Sequence, residues 1–419
     1  MFSRRSALWR NHDFTRFWAA DSISIFGSLI TRAALPFTAI LLLDATAIQV
    51  ALLAAADLLP AFLMGLPVGA WVDRLRRKPI MIAADLGRAA LLGSIPLAYV
   101  FDALIIEHLY AVALLASVCT IFFDVAYLSL LPSIVKREEL LEANAKIATT
   151  QSVSEVSAFG ASGWLVQAVS GPGAILIDAC SFVVSAVLLR DIKVVETPPD
   201  EEDHLGMRTE IAEGMRGVAR DPVLRALAIS SLLMAFSSRI LGGLITLFAI
   251  RELGFEPGVL GTIYAVGGVT SLLGGLSAEP VGRRFGVGPS MIAGVFLFAL
   301  GMVPLSLAPE FGVVAVAILI GGQLADGPMT INLINETTLT QALAPGKMLG
   351  RVNATMRFLG LGAMLAGILT GGILGETIGL RPTLALAAGL AFLSTVALLL
   401  SPVRTLRSAP VQLESPRGV

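Results

Sequence analysis

The sequence predicts an all-α membrane protein of about twelve transmembrane helices, built as two pseudo-symmetric six-helix bundles. Three observations carry that expectation. Apolar runs long enough to cross a bilayer core, about 20 residues each, recur along the whole chain. The basic residues are segregated to one side of those runs. The two halves repeat short charged motifs in the same order.

Composition supports the first observation. Of 419 residues, 55% are hydrophobic and only 15% charged, with a mean hydropathy of +0.81. Soluble domains carry about 25% charged residues. Spans are expected near 17–43, 47–72, 79–101, 106–135, 142–169, 172–190, 224–250, 256–280, 287–308, 311–338, 349–374 and 381–403. The basic N-terminus, Met1 to Arg16, leads into a run too long for the core of a signal peptide, so it reads as the first span.

Most connections are short. The exception is 191–223, where Glu196, Pro198, Pro199, Asp200, Glu201, Glu202 and Asp203 make an acidic, wet linker. Beyond it Met207, Ile211, Met215 and Val218 recur at helical spacing, opposite Arg208, Glu210, Glu213 and Arg216. That pattern predicts an amphipathic helix lying on the membrane surface. The expected organisation is a first bundle over 1–190, a linker over 191–223, a second bundle over 224–403 and a tail over 404–419.

Orientation follows from charge. Arg32, Arg88 and Arg239 fall within spans, and Arg251 and Arg381 fall in loops on one side. Every other Lys and Arg lies in, or at the span ends bordering, the opposite loops and the tails. The positive-inside rule then places both termini and the linker in the cytoplasm of a cell-membrane protein.

Several classes are excluded. A net charge of −1 gives no footprint for nucleic acid. Cys119 and Cys180 lie in apolar runs and read as core residues, not as a disulfide or metal pair. His12, His108 and His204 are scattered over loops and tails and read as exposed. No nucleotide-binding P-loop and no hydrolase or zinc-protease motif occurs. No cofactor, metal or catalytic residue is expected, nor any enzymatic activity; a monomer in the lipid bilayer is.

The internal repeat is specific. Gly69-Ala-Trp-Val-Asp73-Arg74-Leu-Arg-Arg77-Lys78 follows the second span, and Gly275-Leu-Ser-Ala-Glu279-Pro-Val-Gly-Arg283-Arg284 follows the eighth. Leu140-Leu-Glu-Ala-Asn144-Ala opens the fifth span and Leu349-Gly-Arg-Val-Asn353-Ala the eleventh. Duplicated halves with a site near the midplane are a hallmark of secondary transporters.

These residues resemble the major facilitator superfamily. Gly69–Lys78 looks like its signature loop between the second and third helices, G-x-x-x-D-R-x-x-R-K, and the second copy sits where that family has one. Asp85-Leu-Gly-Arg88, Tyr127-Leu-Ser-Leu-Leu-Pro132, Glu142-Ala-Asn144 and Gly350-Arg351-Val352 look like the branch of bacterial drug and siderophore exporters, including macrolide-efflux and enterobactin-export proteins. Proton-coupled exporters carry a Gly-Pro pair in the fifth helix. Here Ser157-Ala-Phe159-Gly160-Ala-Ser-Gly163 has Phe159 in place of the proline.

The resemblance implies a proton-coupled exporter of a small amphipathic solute. An importer or facilitator of the same fold is the alternative, and a sensor or scaffold that does not transport is a remote one. It also implies that Asp73 caps the eleventh helix and that Arg74, Arg77 and Lys78 complete a charge network holding the outward-facing state, with Gly69 and the copy's Glu279, Arg283 and Arg284 belonging to the same gating motif. The plainer reading is that these basic residues obey the positive-inside rule and touch anionic lipid.

Charges inside spans are costly and are expected to face the bundle interior. Arg32 and Arg239 lie in the first and seventh spans, Asp124 in the fourth, and Asp326 and Glu336 in the tenth. In the family these four helices line the central cavity, so the resemblance makes these residues candidates for proton coupling; the alternative is a set of permanent pairs locking helices together. Asp57, Glu155 and Asp178 are lone acids in other spans, fit either to carry a cation or to be satisfied by neighbouring hydroxyls. Asp85 and Arg88, three apart, are expected to pair locally. Phe26, Phe123 and Met234 are expected to line a greasy cavity, and Gly367, Gly371 and Gly375 to let helices approach closely.

Overall fold

The computed structural model describes residues 7–64, 67–72, 75–193, 215–343 and 349–408. Among them the regular structure is helical: α1 His12–Leu42, α2 Ala47–Met64, α3 Pro67–Val72, α4 Arg77–Val100, α5 Ile106–Ile134, α6 Leu140–Arg190, α7 Pro222–Arg251, α8 Pro257–Phe285, α9 Val287–Met302, α10 Val313–Leu324, α11 Asp326–Leu343, α12 Leu349–Thr377 and α13 Leu380–Leu399. Eleven helical segments among the described residues are long and apolar enough to span a membrane.

The expected fifth and sixth spans are two helices that share the label α6, parted by a sharp break at Ser170 (φ 66°, ψ 167°). Val169-Ser170-Gly171-Pro172 supplies the turn, because proline disfavours a helical residue before it and glycine adds backbone freedom. The expected tenth span is instead two helices, α10 and α11, interrupted at Ala325. The expected second span ends at Met64, and α3 is a separate short helix. The amphipathic stretch is helical over 215–220; Met207, Arg208, Glu210, Ile211 and Glu213 lie outside the described residues.

Local chemistry explains the helix starts. Asn11 caps α1, its side chain accepting from the backbone N–H groups of Asp13 and Phe14. Asp221 caps α7 in the same way through Val223 and Leu224, with Pro222 in the first helical position.

The chain divides into two compact units. The first gathers Met1–Glu201 and Phe255–Ala265; the second gathers Glu202–Gly254 and Val266–Val419. In the first unit α1 packs along α6, α4 against α5 and α6, and α2 against α5. Its core includes Phe14, Phe17, Met81, Phe123 and Leu130. In the second unit α7 packs on α12 and α13, and α9 on α11 and α13, around Leu227, Met234, Met291 and Leu339. Glycines permit the α7–α12 approach: a methyl group on Gly367 would lie 2.3 Å from the Phe236 carbonyl oxygen, and one on Gly371 3.1 Å from Ile240 Cα.

The outer surfaces are apolar. Leu97, Leu128, Leu276 and Leu307 are each more than 60% exposed. So broad an apolar exterior suits lipid, not water.

Candidate functional site

The charged residues inside the spans sort into two groups. Asp85, Arg88 and Asp178 are buried in the first unit, with exposures of 0%, 4% and 0%. Asp326 and Glu336 are half-buried in the second. Arg32, Asp124 and Arg239 have exposed side chains on the helices that carry them, as do Asp57 and Glu155. Their helices are apolar on nearly every face, so periodicity alone does not say which face the packing covers.

The buried group centres on Arg88. Its Nη2 donates to Asp85 Oδ1 at 2.5 Å. The guanidinium lies between two rings, 4.5 Å from the centroid of Phe123 on α5 and 4.1 Å from that of Phe182 on α6. A flat, weakly hydrated cation suits that slot better than an ammonium does. Phe123 is therefore core packing around Arg88, not a cavity wall, and Met234 is likewise core in the second unit.

Asp178 projects from α6 onto α1. Ser181 Oγ donates to its Oδ1 at 3.1 Å. The contact depends on Gly27, where an added methyl would lie 2.3 Å from Asp178 Oδ1. Asp21 joins this set although the sequence expectation omits it. It is 6% exposed, and Tyr127 Oη donates to its Oδ2 at 3.0 Å. It lies about two and a half turns inside α1 but only four residues into the expected span, so it reads as a span-edge residue.

In the second unit Ser231 of α7 donates to Glu336 Oε1 of α11. Asp326 opens α11 and packs on α8, where a methyl on Gly267 would lie 2.5 Å from its Oδ2.

The signature loop is described in part. Gly69 lies on α3, while Asp73 and Arg74 lie outside the described residues. Arg77 begins α4. Lys78 Nζ donates to the carbonyls of Arg190 at 2.6 Å and Ile192 at 2.7 Å, capping the end of α6. In the copy, Glu279 and Arg283 pair along α8 at 3.6 Å, both 81% exposed, and Arg284 lies over Phe285. Two minor expectations are corrected. Cys180 is exposed, not core, and His108 is a half-buried residue of α5 whose ring meets Ser94 Oγ at 2.8 Å.

A further contact was not expected from the sequence. On α6, Gly160, Gly163, Trp164 and Gln167 form one stripe that meets the first turns of α8. Trp164 Nε1 donates to Thr262 Oγ1 at 3.0 Å, Gln167 Nε2 to Glu256 Oε2 at 2.7 Å, and the Gly258 N–H to Gln167 Oε1 at 3.0 Å. The paired spacings Gly160/Gly163 and Gly258/Gly261 were the legible signal. Beside this contact a cavity of about 290 Å³ opens among Phe37, Thr38, Ser170 and Pro257.

The chain is 27% identical over 399 residues to the multidrug efflux pump Tap of Mycolicibacterium fortuitum, covering 91% of this chain and 93% of that one. It is 26% identical over 416 residues to Tap of Mycobacterium tuberculosis, covering 95% and 96%. An uncharacterized MFS-type transporter of Bacillus subtilis, YfiS, is 27% identical over 383 residues, covering 86% of each. Among solved structures, a bacterial homologue of the iron transporter ferroportin in an inward-facing state superposes with a TM-score of 0.75 at 19% identity, covering 92% of this chain and 98% of that one. The nucleoside transporter NupG gives 0.72 at 12%, covering 92% and 98%. At these identities the two structures speak to fold alone. The sequence profile of the Major Facilitator Superfamily matches residues 18–360 and again 227–417. With its helices built to cross a bilayer, the chain belongs to the Major Facilitator Superfamily, as a multi-pass membrane transporter of small molecules and not an enzyme.

Proposed function

We propose that this transporter exports a small amphipathic, drug-like or siderophore-like solute in exchange for protons, by alternating access of its two six-helix halves. The observation that carries the reading is the near full-length likeness to two proteins named as multidrug efflux pumps. The carboxylates inside the spans supply proton carriers. Glu336, held by Ser231 across two helices, and Asp326 are the foremost of these, with Asp124, Arg32 and Arg239 exposed on their helices and so accessible to solute or water. In this reading the protein is a monomer in the cytoplasmic membrane, termini inside, as the basic loops favour. The loop from Gly69 to Lys78 and its copy gate the cycle.

Everted vesicles test the proposal. An inwardly directed dye or drug flux should appear when the lumen is acid, and vanish when the gradient is collapsed. Absence of any gradient-driven flux in correctly folded protein, across a panel of amphipathic solutes, would sink it. Import of a small metabolite is the second reading, favoured by Phe159 standing where proton-coupled exporters carry proline. Solute accumulation in whole cells that depends on the protein separates import from export.

A further inference from the structure

Five buried polar atoms on three helices of the first unit lack a hydrogen-bond partner: Thr31 Oγ1, Asp85 Oδ2, Arg88 Nε, Asp178 Oδ2 and Ser185 Oγ. Their surroundings are defined. The Thr31 hydroxyl of α1 faces the Asp178 carboxylate, and the Ser185 hydroxyl of α6 faces that of Asp85. Neither pair reaches full hydrogen-bond geometry. Thr31 is 7% exposed and Ser185, Asp85 and Asp178 are 0% exposed. Folded proteins satisfy nearly all such atoms, so a cluster of five calls for an occupant.

The charge balance says what kind. Arg88 pairs directly with Asp85. Asp178 makes no ion pair among the described residues and receives one hydrogen bond, from Ser181. Asp21 adds a further carboxylate from α1, with Asp124 of α5 also acting on it; Arg88 acts on Asp21 and Asp178 as well as on Asp85, so one cation faces three buried carboxylates. The remaining groups facing the set are Tyr127, Cys119, Phe123 and Phe182, none of which brings positive charge. A negative excess walled in by apolar helices is among the costliest things a fold can hold.

We propose that Asp178, with the hydroxyls of Thr31 and Ser181, holds one exchangeable monovalent cation, a proton or Na⁺, between α1 and α6. All the donors are oxygen, the set a hard cation takes. A proton on Asp178 Oδ2 gives that atom a bond to donate, with Thr31 Oγ1 as its acceptor. Sodium would take both atoms as ligands. Either occupant also ties α6 to α1, because the carboxylate rests against α1 at Gly27. Occupancy and the packing of α1 on α6 are thereby coupled. The use of this site in transport rests on the exchanger reading above, while the site itself is tested at equilibrium without any flux. A failed flux assay and a failed binding assay are therefore separate results.

The experiment uses the purified full chain in lipid nanodiscs, with two arms. One compares melting temperature in NaCl and in choline chloride. The other follows the protonated-carboxyl band in infrared difference spectra between alkaline and acid pH. Sodium occupancy gives a Na⁺-dependent rise in melting temperature. Proton occupancy gives a titrating carboxyl band with no sodium effect. Whichever signal appears should be lost in Asp178→Asn and kept in Glu310→Gln, a change at an exposed loop acid. Should Asp178→Asn fail to fold, Thr31→Val and Ser181→Ala keep the carboxylate and should weaken the sodium response several-fold or displace the band. Equal sodium and pH responses in the unmodified chain, Asp178→Asn and Thr31→Val would overturn the proposal. So would a titrating band that survives Asp178→Asn and disappears in Asp21→Asn.

Discussion

Gly163 of α6 and Gly261 of α8 meet backbone to backbone inside the first unit. A methyl group on Gly163 would lie 2.1 Å from the Pro257 carbonyl oxygen and 2.8 Å from Gly261 Cα. No side chain fits there without parting the helices. Overpacking of this kind costs about 1–3 kcal/mol. Gly163→Val should therefore lower the melting temperature of the purified protein and cut transport. Gly275→Ala, at a position with nothing within 4 Å, should leave the melting temperature unchanged. An unaltered melt for Gly163→Val would mean that this contact is not closely held in the membrane.

The same contact carries a polar clasp that can be loosened without steric change. Gln167 both donates to Glu256 and accepts from the Gly258 N–H. Gln167→Leu removes both bonds at similar volume, and at an exposed site the loss should be about 1 kcal/mol or less. The informative readout is crosslinking of a cysteine pair placed at Trp164 and Thr262. Its rate should fall several-fold in the Gln167→Leu background as the α6–α8 contact opens more often.

Lys78 gives a third prediction. It donates to two carbonyls at the end of α6, where backbone oxygens lack helical partners. A cation there is worth about 0.3–1 kcal/mol. Lys78→Met should raise hydrogen exchange over the last turn of α6, and Lys78→Arg should restore most of the protection. If Lys78→Met instead abolishes transport with exchange unchanged, the residue acts through the gating network that the signature loop implies.

The spans were legible because a bilayer imposes a length and a polarity on each one. Even the turn at Ser170 was marked, since Gly171 and Pro172 punctuate the apolar run. The break at Ala325 was marked too, since Pro328 has no N–H to donate to the Leu324 carbonyl and is expected to kink its helix. The site was harder to read. Arg32, Asp124 and Arg239 announce themselves by lying in mid-span, and their side chains are exposed on their helices. Asp85, Arg88 and Asp178 looked local or ambiguous, yet they share one buried cluster. Sequence reveals that a charge is in a span; which helices close over it depends on long-range packing that no local pattern encodes. The α6–α8 stripe escaped for the same reason, since each glycine pair gains its meaning only from the other.

Glu336 tests the coupling reading. Glu336→Gln keeps the length of the side chain and an acceptor for the Ser231 hydroxyl, and removes the charge. Gradient-driven flux should fall at least tenfold, while downhill exchange of substrate persists. Ser231→Ala keeps the charge and removes its hydrogen bond, so flux should persist with a displaced pH profile. Full gradient-driven flux in Glu336→Gln would assign the proton to another carboxylate.

Asp85 and Arg88 are a buried pair whose value lies in being complete. Arg88→Leu alone leaves a carboxylate at 0% exposure without its guanidinium, a loss of about 3–5 kcal/mol by comparison with other broken buried pairs. Asp85→Asn alone leaves the cation between Phe123 and Phe182, where the rings still attract it, so its cost should be smaller. The double variant Asp85→Asn/Arg88→Leu removes both charges and should recover much of the stability lost in Arg88→Leu, because no unpaired ion remains. Arg88→Lys should behave more like Arg88→Leu than like the native chain, since an ammonium neither fills the flat slot between the rings nor tolerates the loss of its water. Monodispersity and melting temperature of the four purified proteins form the double-mutant cycle. Strictly additive losses would mean that the 2.5 Å contact contributes no coupling energy and that Arg88 is held by its two rings alone.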